Sequence, residues 1–464
     1  MDNACEIHGP TARQLSPEQY QQWGETLAAQ LAPAAKFVIG GDARPATPQC
    51  LAALGEGLCQ SGINVVDLGV LPTPMVYYAR QRLRADGCAI ITASRDPGEM
   101  VGLRWMIGDC PPTRDELESF SQAATPGRRR KPGRNRGTSR ALDMSFDYVA
   151  WLQETWVDSL EAQRRIVIDA EGGTCARRAR RYLQAIFPHA LFSAIREEPE
   201  SATTNGESDA WGSESLVELA SAVDRERADL GIALDSDGDQ ITFVDNEGVT
   251  LTAEEAAGVL LDSFAGELAD QSIVYDVRCA EWLPQRAREL GARPIAEQSS
   301  HAAIRRRMTE AKAIFGAGAG GHYFFRALAG GDDALFTACW MISWLVISGK
   351  TLGEMRKACP PVAMTPDLKV CIDPSTAEAL LQHIREAWSQ YPQSFVDGVK
   401  ITFPEGWALV QGTPGRSPLS FRFEASDWLK LRTLVHHFCE VLGDVGDDLW
   451  RQYTDVLGHP GEGG

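Results

Sequence analysis

Three aspartates on alternate positions, Asp235, Asp237 and Asp239 in "LDSDGDQ", follow directly on the apolar run "ADLGIAL". Carboxylates converging in a tight Gly-containing turn make a hard-oxygen site suited to Mg²⁺ or Ca²⁺. The plain alternative is an acidic turn with no ion. An EF-hand opens with a similar run, but it needs flanking helices and a glutamate at loop position twelve, which here is Asn246. Mg²⁺ at the carboxyl end of a strand is therefore the preferred reading, since α/β folds bind ligands there. A second candidate is Ser94 in "AIITASRDPGEM", which closes another apolar run and is followed at once by Arg95, Asp96 and Pro97. A serine so placed is a phosphorylated nucleophile, a helix cap, or the relic of either. Two Gly-rich turns complete the set. "FGAGAGGHYFF" ends in His322, and a lone histidine is more often structural than catalytic; "VQGTPGRSPLSFR" offers backbone N–H groups and Arg416 as a weak anion nest.

These residues sit at the ends of short β-rich runs that alternate with longer helical patterns, as in βαβ units on mainly parallel sheets. The first unit is "KFVIGGDARPATPQCLAALGEGLCQSGINVVDLG", with "GCAIITAS" as a further strand. The pattern returns in "RRIVIDAEGGTCARRARRYLQAIF", and again in "QSIVYDVRCAEWLPQRARELGARPIAE" with "AIFGAGAGGHYFF". After about residue 362 the style changes to "KITFPEGWALVQG" and "LSFRFEA" flanked by helices, which suggests α+β. The expected fold is α/β: three consecutive α/β domains with mixed sheets (1–140, 141–250 and 251–362) and a C-terminal α+β domain (363–464).

A chain of 464 residues accommodates several such domains, and 44% hydrophobic residues exclude global disorder. The net charge of −18 argues against sequence-independent nucleic-acid binding, so small soluble partners are expected. The 11 cysteines are odd in number and contain no CxxC pair, which suits reduced thiols in a cytosol. No secretory signal is visible at the N-terminus. The longest apolar run, "ALFTACWMISWLVI" (334–347), falls short of the roughly 20 residues of a membrane span and reads as a buried helix. A cytoplasmic location without membrane attachment is the expectation. The stretch 125–140 carries seven basic residues among Pro and Gly and reads as a solvated linker, with an anionic partner as the lesser alternative; "ESATTNGESDAWGSES" reads as a surface loop.

Taken in order, "EIHG", "GGDARP", "TASRDP", "DSDGDQ", "YDVRC", "GAGAGGHYFF" and "VQGTPGRSP" resemble the α-D-phosphohexomutases, especially the bacterial phosphomannomutase/phosphoglucomutase group. The resemblance covers nearly the whole chain. It implies four domains around a central cleft and a phosphoserine that exchanges its phosphoryl group with a hexose 1- or 6-phosphate. It places Ser94 on the phosphoserine and, as metal ligands for Mg²⁺, Ser94 with Asp235, Asp237 and Asp239. Arg104, Arg278 and His301 fall on further catalytic positions. His8, Arg44, His322, Thr413, Arg416 and Ser417 fall on substrate-binding ones. The implied partner is a small hexose phosphate, and the implied state a monomer or weak dimer.

The chain departs from the family pattern at several of these places. T-A-S-H-N-P is written with Arg95 and Asp96, and two family lysines are Arg104 and Arg278, which keep charge but cannot deprotonate. The arginine closing D-G-D-R is Gln240, and that of D-I-R-G is His8. In G-E-x-S-G-H the residues that bond sugar hydroxyls are Gly318 and Gly320. The phosphate loop R-x-S-N-T-E-P has Gln411, Thr413, Gly415 and Arg416 in place of its arginine, serine, threonine and glutamate. Two readings follow: a divergent phosphohexomutase, or a pseudoenzyme of the same fold that binds or regulates. A serine phosphatase would be a third, but no water-positioning base stands out for it.

Overall fold

The computed structural model describes residues 7–10, 16–94, 100–123, 135–159, 161, 163–198, 213–412 and 418–457. Residues 125–134 of the basic stretch and 200–212 of the polar loop lie outside them. Among the described residues the fold is mixed α/β, with four sheets and 15 α-helices. The chain divides into two compact units. One comprises 1–274, 287–295 and 300–358; the other comprises 275–286, 296–299 and 359–464.

In the first unit, the β-branched run at Lys36–Gly41 lies between Gly87–Ile91 and Asn64–Val70, parallel to both. It is buried almost throughout, as expected for a strand covered on both faces. The antiparallel strand Met100–Ile107 pairs with Gly87–Ile91, Ile7–Pro10 lies beyond it, and Ser139–Ala141 closes the opposite edge. Helices Pro17–Ala28 and Thr47–Gln60 press Tyr20, Trp23, Leu54 and Leu58 onto Phe37 and Ile39.

A second sheet runs Ile241–Asp245, Leu230–Leu234, Arg165–Asp169 and Leu191–Ile195. A third runs Arg293–Glu297, Ser272–Asp276, Phe315–Ala317, Tyr323–Phe325 and Gly331–Asp332. The acidic turn 235–240 therefore joins two antiparallel strands rather than two helices. The run read as a buried helix is the helix Ala334–Ser348, capped by Asp333, whose Oδ1 accepts the Phe336 N–H at 3.0 Å. No helix among the described residues is long and apolar enough to cross a membrane.

The second unit holds a mostly antiparallel sheet. Leu419–Ala425 is flanked by Gly406–Gln411 on one side and by Ala363–Met364 and Leu368–Val370 on the other, and Val399–Thr402 extends it. Helices Pro374–Ala387, Trp428–Glu440 and Asp444–Leu457 bury Trp388, Phe438 and Tyr453 against it.

Candidate active site

Ser94 stands three residues beyond the end of strand Gly87–Ile91 with φ +46°, in the left-handed region. Holding a non-glycine residue there costs about 1–3 kcal/mol, so its surroundings must enforce it. Its N–H donates to Thr92 Oγ1 at 2.9 Å, and its carbonyl accepts from both Arg44 Nη2 and Ser236 Oγ at 2.6 Å. The Ser94 hydroxyl lies 3.4 Å from Gln240 Nε2. Arg44 is itself fixed, because its Nε donates to Asp42 Oδ2 at 2.9 Å while Asp42 also accepts from Thr47 Oγ1 at 2.7 Å.

The aspartate turn is bound into the same network. Asp235 Oδ1 accepts the N–H groups of Gly238, Asp239 and Gln240 at 3.0, 3.1 and 3.1 Å, which folds the turn on itself. Asp237 Oδ2 accepts from Thr73 Oγ1 at 3.0 Å and Thr92 Oγ1 at 2.9 Å, so one threonine hydroxyl touches both the serine loop and the acidic loop. Arg104, on strand Met100–Ile107, donates to Asp239 Oδ2 at 2.5 Å and lies 3.5 Å from Asp237 Oδ2.

All three carboxylates are buried, and each offers an oxygen within 4.8 Å of the others. Asp237 Oδ1 and Asp239 Oδ1 accept no hydrogen bond among the described residues. A buried charged oxygen without a donor is costly, and converging ones fit a hard dication. Burial raises Asp237, but the Arg104 charge and the hydroxyls around it outweigh that and hold its pKa below the ordinary value. Asp239 is pushed up, by burial first and then by the Asp237 charge.

Asp332 lies beside this cluster, sharing its carboxylate between His301 Nε2 at 2.9 Å and His322 Nδ1 at 2.6 Å. His322 Nδ1 also lies 3.7 Å from Asp239 Oδ1. Burial would raise Asp332, yet the two imidazoles hold it well below the usual carboxylate range. Burial would lower His322, but the Asp239 and Asp332 charges overcome it and its pKa is raised.

In the second unit, Arg278 donates from Nη2 to Asp276 Oδ2 and from Nη1 to Asp367 Oδ2, both at 2.9 Å. Arg422 Nη1 reaches the other Asp367 oxygen at 3.1 Å. Burial disfavours charge on Arg278, but the two carboxylates prevail and keep it protonated at every accessible pH. Ser299 Oγ donates to Asp276 Oδ2 at 2.9 Å, and Asp397 accepts from Gln411 Nε2 at 2.5 Å.

Of the residues singled out in the sequence, Ser94, Arg44, Arg104, Asp235, Asp237, Asp239, His301 and His322 belong to one connected network in the first unit. Arg278 belongs to the second unit. His8 pairs with Gly102 along strand Ile7–Pro10, and its side chain is outside the described set. Arg95, Asp96, Thr413, Gly415, Arg416 and Ser417 lie outside the described residues. Sequence reasoning missed Asp42, Thr73, Thr92, Ser236 and Asp332. Their signal is weak, since a hydroxyl or carboxylate that orients another side chain has no spacing rule. "GGDD" before the long apolar helix was the one available hint for Asp332.

Residues 6–123 match the family model described as phosphoglucomutase/phosphomannomutase, alpha/beta/alpha domain I, and residues 249–362 the model for domain III. The phosphomannomutase/phosphoglucomutase of Pseudomonas aeruginosa is 24% identical over 414 residues, covering 89% of this chain and 88% of that relative. Among solved structures, a phosphoglucomutase/phosphomannomutase family protein from Burkholderia thailandensis superposes with a TM-score of 0.82 at 21% identity, over 98% of this chain and 97% of that one. The N-acetylphosphoglucosamine mutase of Aspergillus fumigatus, solved with GlcNAc-6P and magnesium, aligns with a TM-score of 0.54 at 12% identity, over 90% of this chain and 78% of that one.

Proposed function

The chain belongs to the α-D-phosphohexomutase superfamily, in its phosphoglucomutase/phosphomannomutase group, and on that premise we propose that it is a Mg²⁺-dependent phosphohexomutase working through a phosphoserine at Ser94. The observation that carries the reading is the tie between the two loops. Ser94 is held in a left-handed conformation by residues that also touch the buried aspartate turn: Thr92 bonds Asp237, and Gln240, which directly follows Asp239, reaches the Ser94 hydroxyl.

In this proposal Asp235, Asp237 and Asp239, with an oxygen of Ser94, would hold the Mg²⁺. When bound, the ion neutralises phosphoryl charge and polarises the bond to the serine oxygen. The phosphoryl group passes from Ser94 Oγ to a free hydroxyl of the hexose phosphate: the serine O–P bond breaks, the sugar O–P bond forms, and the proton lost by the sugar hydroxyl is regained at Ser94 Oγ. After the bisphosphate turns over, its other phosphate returns to Ser94. Arg104 balances charge beside Asp239. His301 and His322 both bond Asp332, and, against its burial, the Asp239 and Asp332 charges favour the protonated form of His322. Arg44 anchors the serine loop through its carbonyl. By resemblance, Arg278 is assigned to a catalytic position and His8, Thr413, Arg416 and Ser417 to substrate binding. The division into domains at 140, 250 and 362, a cytoplasmic location and a monomeric or weakly dimeric state belong to the same proposal.

One observation favours the second reading, a binding or regulatory protein of this fold. In the turn before His322, a side chain at Gly318 would meet nothing nearer than 3.5 Å, and one at Gly320 nothing nearer than 3.9 Å. The loop thus offers neither a carboxylate nor a hydroxyl at those two positions to a sugar. Incubating the protein with Mg²⁺ and glucose 1,6-bisphosphate separates the readings. Phosphate on Ser94 and conversion of mannose or glucose 1-phosphate, both abolished by Ser94→Ala, support the mutase. Absence of both across a panel of hexose phosphates sinks it, and phosphorylation without turnover supports the second reading.

A further inference from the structure

We propose that Ser236, which lies between two of the carboxylates and is not itself a ligand, is a positioning residue that locks Ser94 into its reactive conformation. The proposal rests on the phosphoserine reading. Ser236 Oγ donates to the Ser94 carbonyl at 2.6 Å, a carbonyl that also accepts from Arg44 Nη2 at 2.6 Å. With the Ser94 N–H on Thr92 Oγ1, both backbone polar groups of the serine are therefore committed at φ +46°, a conformation an L-residue does not keep unaided.

Ser236 is rigid for a reason that lies on its far side. Its own carbonyl accepts both the N–H of Thr174 at 2.8 Å and Thr174 Oγ1 at 3.0 Å. The preceding Gly173 packs so closely that a Cβ there would stand 2.5 Å from Ser236 Cα and from Ser236 O. The turn "GGT" is thus a backing plate for Ser236, and Ser236 hands that fixed position to Ser94. The link also passes the position of the acidic turn to the serine, because Asp235 and Asp237 flank Ser236 directly. A hydroxyl at this position can donate to the serine carbonyl, which the ionised carboxylates beside it cannot, since they only accept hydrogen bonds.

Three proteins test this: Ser236→Ala, Ser236→Thr and the parent chain. The readouts are the rate of Ser94 phosphorylation by glucose 1,6-bisphosphate, followed by intact mass, and crystal structures of the parent and the alanine variant. The alanine variant is expected to take phosphate roughly three- to tenfold more slowly, the loss of one buried hydrogen bond. Ser94 should leave the left-handed region, while the Asp235, Asp237 and Asp239 carboxylates keep their parent positions. The threonine variant, which keeps the hydroxyl, should recover most of the rate. An alanine variant phosphorylated at the parent rate overturns the proposal. So does one in which the Asp235, Asp237 and Asp239 carboxylates have moved, because Ser236 would then act on the metal loop. Should the parent take no phosphate at all, the mutase reading falls, and the crystal structures decide on the clamp. Ser94 still near φ +46° without the Ser236 hydroxyl refutes it; a relaxed Ser94 upholds it.

Discussion

Replacing Asp333 by asparagine should stabilise the protein, and more so as pH rises. Asp333 is 3% exposed, and its pKa is raised to about 7, by burial first and then by the neighbouring Asp332 charge. An unfolded aspartate titrates near about 3.9, so the folded state prefers the protonated form. A carboxyl whose pKa is raised on folding gives its full support only below the unfolded value, and that support is lost as pH climbs from there through about 7. At roughly 1.4 kcal/mol per pH unit, the native state loses about 1.5 kcal/mol by pH 5 and about 4 kcal/mol by pH 8. The asparagine side chain would remove this penalty while keeping the contacts. Its oxygen still caps the Phe336 N–H, and its amide still meets Tyr148 Oη, which stands 2.7 Å from Asp333 Oδ2. Urea unfolding followed by tryptophan fluorescence measures the effect locally, because Trp151, Trp156 and Trp340 all pack on Phe336 of the same helix. The stability gap between Asp333→Asn and the parent should widen by about 2–3 kcal/mol between pH 5 and pH 8. A gap constant to within about 0.5 kcal/mol, or an asparagine variant less stable at pH 8, would refute the reasoning.

Three further outcomes follow from the network. Thr92→Val removes a hydroxyl that orients Asp237, and Mn²⁺ affinity should fall on the order of tenfold in a direct titration while the helical circular dichroism is unchanged. Gly173→Ala drives a methyl into the Ser236 backbone at 2.5 Å, with no flexible side chain to yield; a loss of about 1–3 kcal/mol in chemical unfolding is expected. Gly320→Ser meets no atom nearer than 3.9 Å, so the melting temperature should hold, and if the chain is a mutase weakened at its sugar loop, kcat/KM on hexose phosphates should rise about tenfold.

The strands and the acidic turn were legible because they rest on local rules. Short β-rich apolar runs alternating with helical patterns marked Lys36–Gly41, Gly87–Ile91 and Leu230–Leu234, and alternate aspartates after a strand marked the metal candidate. The pairing of Met100–Ile107 antiparallel to Gly87–Ile91, which brings Arg104 to the acidic turn, had no such mark, since pairing direction is set by tertiary packing. Thr73 was equally hidden. It lies 164 residues from Asp237, and a threonine before a proline reads as an ordinary helix start until the loops meet. His322 illustrates the middle case: the sequence offered the residue but not its partner, and Asp332 is what turns a lone histidine into half of a pair.

Charge narrows what this centre can do. Asp235, Asp237, Asp239 and Asp332 bring four buried carboxylates together, against which stand the Arg104 guanidinium and two imidazoles tied to Asp332. The pKa of Asp239 is raised, by burial first and then by the Asp237 charge. A phosphate on Ser94 would add up to two more negative charges beside these carboxylates. In the proposed phosphorylated state a dication would offset that charge whether or not a sugar is ever processed. Metal dependence of Ser94 phosphorylation consequently cannot distinguish the mutase from the regulatory reading. The discriminating chemistry lies at the turn holding Gly318 and Gly320, because a centre that transfers phosphoryl groups becomes a mutase only when something holds the sugar in two orientations, and those glycines supply no side chain with which to hold it.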